Sequence, residues 1–164
     1  MNTDKILIAF DGSENSLRAI SYTAAMLSPN PRAQRTVTVA AIDRPPDRDL
    51  FPDDASWKTA CAKRADAMRK ALVEARSLLL GAGLPETAIT TRFVESCRSP
   101  LRESLECSIG TSIALEILRL AEEDDFGTVV VGRRGVTRQE EFLFGSVSTK
   151  IIHAAKGLAV WVVA

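Results

Sequence analysis

Glycine residues stand at both ends of a stretch that could bind phosphate. Gly132 ends the apolar run Thr128–Val131, and Gly145 and Ser146 come directly before the helically periodic segment Val147–Ala155. Backbone N–H groups at the start of a helix carry partial positive charge, and glycine lets the backbone approach an anion without a Cβ in the way. The spacing therefore predicts a two-ended clasp for a polyphosphate. The alternative is a solvated loop whose glycines only turn the chain.

Side chains in the same stretch add to this chemistry. Ser146 and Ser148 offer hydroxyl donors, and Arg133 and Arg134 offer positive charge. No GxxxxGK[ST] motif is present and no GxGxxG follows the first predicted strand, so neither of the two commonest phosphate loops is used. The one histidine, His153, has no second ligand at metal-binding spacing, so we expect no protein metal site.

Short apolar runs alternate with helically periodic segments along the whole chain. The predicted strands are Lys5–Phe10, Thr36–Ile42, Ile89–Val94, Thr128–Val131 and Leu158–Val163. The predicted helices are Glu14–Leu27, Ser56–Leu80, Ser112–Glu123 and Val147–Ala155. Strands that are apolar without alternation are typical of a sheet covered on both faces. We predict an α/β fold: a five-stranded parallel open sheet, doubly wound and Rossmann-like, with its ligand site beyond the carboxyl ends of the strands.

Composition limits the possible classes of protein. The 164 residues predict one domain, and 21 basic residues balance 21 acidic ones, so no nucleic-acid partner is indicated. No apolar run approaches the roughly 18 residues of a membrane span, and the first ten residues do not resemble a signal peptide. The three cysteines, Cys61, Cys97 and Cys107, lack CxxC spacing. We therefore expect reduced thiols and a cytoplasmic location.

The spacing Gly132-x2-Gly135-x9-Gly145-Ser146 resembles the ATP-binding signature of the universal stress protein family. Three further stretches are similar to elements of that family. KILIAFDGSENSLRAISYTAAML is similar to its first strand, turn and first helix, and VTVAAIDR is similar to its second strand. GTSIALEILRLAEEDDFGTVVVGRRG is similar to its third helix and fourth strand. The similarity covers nearly the whole chain. It implies the adenine-nucleotide α-hydrolase-like variant of the fold, with ATP as the ligand.

The resemblance also implies roles for individual residues. The turn formed by Asp11, Gly12 and Ser13 is placed beside the adenine and ribose, and Ala41 contacts adenine through its backbone. The ribose and phosphates are assigned to Val131, Gly132, Arg133, Arg134 and Gly135. The phosphate tail is assigned to Gly145, Ser146, Val147 and Ser148. Helix capping by the Asp11 turn and core packing by Ala41 are the alternatives that the residues themselves leave open.

The favoured function is an ATP-binding regulatory module of the stress response that carries Mg²⁺ on the phosphates. The clasp contains no convincing base or nucleophile, so we expect no catalytic residue and slow turnover or none. A slow ATP hydrolase or phosphotransfer enzyme of the same fold, and a nucleotide-free dimeric scaffold, are the alternatives. The uncharged last strand, residues 158–163, predicts a homodimer in which Trp161 is buried.

One segment, at about residues 96–110, is longer than the link usual in the family. Ser99 and Pro100 are a good helix start, so a short extra helix is expected there. Because the segment leaves the carboxyl end of a strand, it could lie over the nucleotide as a lid. A surface decoration is the alternative.

Overall fold

A computed structural model describes residues 1–27, 35–103, 107–110, 112–133 and 145–164 of the chain. Its strands are β1 (Asn2–Ala9), β2 (Thr36–Ile42), β3 (Ile89–Val94), β4 (Phe126–Gly132) and β5 (Ala159–Val163). Its helices are α1 (Glu14–Leu27), α2 (Asp54–Gly81), α3 (Ile113–Glu123) and α4 (Ser146–Ala154). All strand pairs are parallel, in the order β3-β2-β1-β4-β5. The predicted α/β fold is confirmed.

Two apolar cores lie on opposite faces of this sheet, because successive residues of a strand point to opposite faces. The first core joins the sheet to α1 and α2 through fully buried side chains of Ile8, Ile20, Val39 and Leu79. The second joins it to α3 and α4 through Leu7, Leu120, Val129 and Ile151. The sheet is therefore doubly wound, with two of the described helices on each face.

The strand order reverses between β1 and β4, which are neighbours in the sheet. The chain leaves β1 toward α1 on one face and leaves β4 toward α4 on the other. Loops that diverge in this way open a crevice at the carboxyl edge of the sheet, the usual ligand position in open α/β folds. The ends of the predicted clasp and the Asp11 turn all lie on the connections that flank this crevice.

The segment that follows β3 differs from two expectations. No helix begins at Ser99 or Pro100 in the described residues 95–103, which form turns instead. Cys97 and Cys107 form a disulfide, so the expectation of reduced thiols was wrong for this pair. The backbone N–H of Cys97 donates to Ser108 at 2.8 Å, and this return of the chain brings the two sulfurs together. The cytoplasmic location that reduced thiols supported stays a prediction.

Cys61 in α2 has the reduced thiol that the sequence predicts, because it is buried and forms no disulfide. Among the helices of the described residues, none has the length and apolar character needed to cross a membrane.

Candidate functional site

The Asp11–Ser13 turn lies at the carboxyl end of β1 and opens α1. Gly12 has φ +76°, the left-handed region that glycine adopts without strain. The carboxylate of Asp11 accepts a hydrogen bond from the Ser13 N–H at 3.0 Å. The Ser13 hydroxyl in turn accepts from the Ser16 N–H at 3.2 Å, which caps the helix. The capping alternative therefore holds for this turn, and it leaves the rest of the Asp11 carboxylate exposed.

The charge of Asp11 is set by this turn. Partial desolvation at the edge of the sheet raises its pKa, but hydrogen bonds from the Ser13 hydroxyl and N–H and from Ser16 outweigh that effect. The net result is a pKa below the usual range for an aspartate. Asp11 is thus a carboxylate at neutral pH and can accept hydrogen bonds from hydroxyl or amino groups of a ligand.

Gly132 is required by packing at the end of β4. A Cβ at this position would lie 2.5 Å from the carbonyl oxygen of Asn15 and 2.9 Å from the backbone nitrogen of Ser16. The backbone of β4 therefore touches the first turn of α1, and only glycine allows that contact. This is a second reason for a glycine that the sequence pattern assigned to phosphate alone. The contact brings Gly132 and the Asp11 turn together across the strand reversal.

The backbone N–H of Arg133 is already used. It donates to the carbonyl oxygen of Val163 at 2.6 Å and so extends the pairing of β4 with β5. Parallel pairing thus continues one residue beyond β4, and the assignment of Arg133 to the ribose and phosphates stays a prediction. Arg134 and Gly135 lie outside the described residues.

The second end of the clasp is the first turn of α4. Gly145 is the N-cap residue, with φ −56° and ψ 149°, and its carbonyl accepts from the Thr149 N–H at 3.0 Å. Ser148 also donates its hydroxyl to this carbonyl at 2.9 Å and is 2% exposed. The Ser148 side chain therefore turns back to its own helix, and its predicted contact with a ligand stays a prediction. Ser146, the first residue of α4, is exposed.

Three predicted contacts have side chains in the apolar cores. Ala41 is completely buried in the core under α1 and α2, and Val131 is buried in the core under α3 and α4. Val147 packs against that second core from α4. Any contact of Ala41 or Val131 with a ligand must therefore come from the backbone. The core-packing alternative for Ala41 describes its side chain correctly.

Sequence reasoning missed a second cluster, at the carboxyl ends of β2 and β3. Asp43 directly follows β2, and its backbone N–H donates to Val94 at 2.8 Å. Burial raises the pKa of the Asp43 carboxyl, against the opposing effects of a hydrogen bond from the Ser96 N–H and the charge of Arg64. The signal that could have found it is an aspartate placed directly after a buried strand.

A separate groove of about 450 Å³ lies along β3, between Arg69 of α2 and Arg119 of α3. Its arginines are neutralised within the chain. Arg69 pairs with Glu95 at 3.3 Å, Arg92 with Asp124 at 2.6 Å, and Arg119 with Glu116 and Glu123, which raise the Arg119 pKa. Since each guanidinium already has a carboxylate, we do not assign an anion site to this groove.

Comparison with known proteins agrees with this fold. The model of the universal stress protein family matches residues 2–164. The universal stress protein UspA from Lactobacillus plantarum is 15% identical with a TM-score of 0.68, over 98% of this chain and 97% of that one. The Archaeoglobus fulgidus universal stress protein in complex with dAMP is 18% identical with a TM-score of 0.60, over 98% of this chain and 97% of that one. A universal stress protein in complex with cAMP is 20% identical with a TM-score of 0.60, over 98% of this chain and 95% of that one.

No curated protein sequence gives a significant match. Structural similarity at these identities establishes the fold, whereas the family model covers nearly every residue and establishes the family. The chain belongs to the universal stress protein family.

Proposed function

We propose that this chain binds ATP, with Mg²⁺ on the phosphates, in the crevice between the carboxyl ends of β1 and β4, and acts as a regulatory module of the stress response. Family membership supports the proposal. Two proteins of the same fold have been solved in complex with the adenine nucleotides cAMP and dAMP. The ligand class therefore follows from these relatives, and the choice of ATP follows from the complete G-x2-G-x9-G-S spacing.

The observation that carries the proposal is the start of α4. The first turn of a helix leaves N–H groups without partners inside the helix, here those of Ser146, Val147 and Ser148. Gly145 at the N-cap has no side chain that could accept from them. By contrast, α1 is capped by the hydroxyl of Ser13 and α2 by the carboxylate of Asp53. The start of α4 thus suits an external anion such as a phosphate.

The sugar and base are assigned to the other side of the crevice. Asp11 is ionised and partly exposed, so it can accept a hydrogen bond from a ribose hydroxyl. The backbone at Ala41 lies one residue before the end of β2, two strands from β4 in the sheet, which leaves the width of β1 between the base and the phosphates. Polar backbone atoms, together with one carboxylate, make up most of the assigned contacts.

The residues of this crevice fit a Mg²⁺ ion that arrives with the nucleotide. Within the described residues no three histidine, cysteine or acidic side chains are grouped to hold a metal by themselves. Mg²⁺ commonly keeps several waters and binds through substrate phosphates with few carboxylates. The nearby carboxylate is Asp11, and the ion would supply neutralisation of phosphate charge.

Slow turnover follows from the same contacts. Hydrolysis of ATP needs a group that orients water or removes its proton, together with charge that favours the transition state. Asp11 is held by its turn, and the Ser148 hydroxyl is bonded to Gly145. The described residues therefore offer no free general base at the start of α4, which favours a nucleotide-binding regulator over an efficient enzyme.

We also propose a homodimer through β5. This strand lies at the edge of the sheet, so its outer backbone groups have no partner strand within the described chain. Trp161 of β5 packs edge-on against Tyr22 of α1, with ring centroids 6.3 Å apart, and both rings are partly exposed. An uncharged edge strand beside two aromatic rings suits pairing with a second copy.

Calorimetric titration of the purified protein with MgATP, MgADP, AMP and cAMP tests the ligand. Gly135→Val and Gly145→Val should abolish MgATP binding, because each puts a branched side chain where phosphate is expected. The φ of −56° at Gly145 is accessible to valine, so the helix start should persist. Gly81→Ala is the control, since a Cβ there meets nothing within 4 Å. Wild-type affinity in both valine variants contradicts the clasp, and turnover above about 1 per second favours the enzyme alternative.

A further inference from the structure

A disulfide closes the segment that follows β3 at the same edge of the sheet. Cys97 and Cys107 are ten residues apart and are bonded through their sulfurs. The first arm of this disulfide segment comprises residues 95–103, and the second comprises residues 107–110. A parallel bridge pairs Ser96 with Ser108, and the Ser108 N–H donates to the Glu95 carbonyl at 2.7 Å.

The two sulfurs are placed for exchange with an external thiol. Both cysteines are partly exposed, whereas Cys61 is buried in α2 and burial raises the pKa of its thiol. The guanidinium of Arg102 lies 3.4 Å from the Cys107 sulfur. A cation at this distance stabilises a thiolate, and a stabilised thiolate is the better leaving group in disulfide exchange. The geometry therefore favours attack at Cys97 with departure of Cys107.

Hydrogen bonds connect the disulfide segment to the proposed nucleotide site. Ser96 is 3% exposed, and its backbone N–H opposes the rise that burial causes in the pKa of the Asp43 carboxyl. Asp43 lies two residues after Ala41, whose backbone is assigned to adenine, and its own N–H donates to Val94 of β3. The first arm is thus held against the end of β2, beside the proposed base-binding edge.

The second arm depends more heavily on the disulfide. Ser108 is completely buried, and its hydroxyl has no hydrogen-bond partner among the described residues. A buried hydroxyl without a partner opposes burial of the arm. The backbone hydrogen bonds of Ser108 to Glu95 and Cys97, together with the disulfide, favour burial of the arm. Loss of the link should release this arm first.

We propose that the Cys97–Cys107 disulfide is a redox switch that sets the affinity of the nucleotide site. A thiolate of an external dithiol attacks the Cys97 sulfur, the sulfur–sulfur bond breaks, and Cys107 leaves as a thiolate beside Arg102. The second thiol of the dithiol then displaces Cys97, so two electrons and two protons pass to the chain and the dithiol becomes a disulfide. The oxidised chain holds the arms against β2 and binds nucleotide more tightly, and the reduced chain binds more weakly.

This inference rests on the proposed nucleotide site, so its test measures both. The Kd for MgATP is determined by calorimetry for the oxidised protein and for the same protein reduced with dithiothreitol, with thiols counted by mass after alkylation. We expect the Kd to rise at least threefold on reduction and to return on reoxidation. Cys97→Ser with Cys107→Ser should show the weaker affinity with or without reductant. Cys61→Ala is the matched control and should keep the redox response.

A second variant tests the chemistry. Arg102→Gln should slow reduction by dithiothreitol several-fold, because the leaving thiolate loses its cation, while the oxidised protein keeps its affinity. If the oxidised protein binds no nucleotide, the proposed function fails. If it binds equally well in both redox states, the switch is overturned. Unfolding of the chain on reduction, followed by circular dichroism, also overturns the switch, because the disulfide would then only hold the fold together.

Discussion

The contact between Gly132 and α1 gives the sharpest prediction for this structure. In Gly132→Ala the new Cβ would lie 2.5 Å from the Asn15 carbonyl oxygen and 2.6 Å from its carbon. These are backbone atoms of a capped helix turn, so neither can rotate away as a side-chain end would. The end of β4 and the start of α1 must therefore separate. Overpacking of this kind costs about 1–3 kcal/mol of unfolding free energy, which corresponds to roughly 2–12 °C in Tm for a chain of this size.

The same displacement should weaken nucleotide binding, because the moving turn carries the Asp11 carboxylate. Two other glycines separate this effect from loss of stability. A Cβ at Gly127 would come within 2.8 Å of the Thr3 Cα, at the opposite edge of the sheet, so Gly127→Ala should lose similar stability and keep its affinity. A Cβ at Gly81 meets nothing within 4 Å at the end of α2, so Gly81→Ala should gain about 0.5–1 kcal/mol.

Urea unfolding and MgATP calorimetry on the three alanine variants test this reasoning. Stability of Gly132→Ala equal to that of Gly81→Ala would show that the β4–α1 contact is not tight. Equal loss of affinity in Gly127→Ala and Gly132→Ala would show that binding follows global stability and not the position of the Asp11 turn.

Three further changes have defined outcomes. Hydrogen bonds lower the Asp11 pKa in the folded chain, so the charge of Asp11 stabilises the fold at pH values above the usual aspartate pKa, and this stabilisation is lost as the pH falls through the lowered pKa. Asp11→Asn should therefore reduce the free energy of unfolding by under about 1 kcal/mol at neutral pH. Urea titrations in acid should show no difference in stability between this variant and the wild type. Joint replacement of Cys97 and Cys107 by serine should cost about 2–3 kcal/mol, or roughly 4–12 °C in Tm, and reductant should not lower the Tm of that variant further. Trp161→Asp should yield monomers in light scattering, because a carboxylate on the edge strand β5 opposes pairing with a second copy; a wild-type protein that is monomeric at micromolar concentration would contradict the dimer.

The elements with continuous apolar signals could be predicted to the residue. This was so for α1 and for β2 and β3, where the apolar run and its flanking polar residues define both ends. β1 and β4 extend further than their apolar runs because backbone bonds, such as Asn2 N–H to Asp125 at 3.0 Å, continue the pairing. Backbone hydrogen bonding of this kind leaves no mark in side-chain pattern. The ends of a strand are therefore less predictable than its existence.

The disulfide and the role of Gly132 could not be predicted, for a related reason. The ten-residue spacing of Cys97 and Cys107 does not show whether the chain folds back so that the two sulfurs meet. Here the chain folds back because Ser96 and Ser108 form a β-bridge. Gly132 was interpreted through one constraint, approach to an anion, although its position is already determined by contact with Asn15. One residue can satisfy two constraints, and only coordinates separate them.

The proposed site is built largely from backbone, and this decides how it can be altered. Ala41, Val131 and Ser148 turn their side chains into the cores or back to their own helix, so truncating them would change packing before it changed any contact with a ligand. A side chain added at a glycine enters the space where the ligand is proposed to bind. Shortening the side chain of a neighbouring residue does not change that space. A site of this kind also depends little on side-chain identity away from the glycines and Asp11. The fold is shared with proteins only 15–20% identical to this chain. We therefore expect the affinity for nucleotide to depend on where the backbone lies. Gly132 sets the position of the start of α1, and the Cys97–Cys107 disulfide sets the position of the segment beside β2. Substitution of exposed polar side chains should have a smaller effect on the affinity.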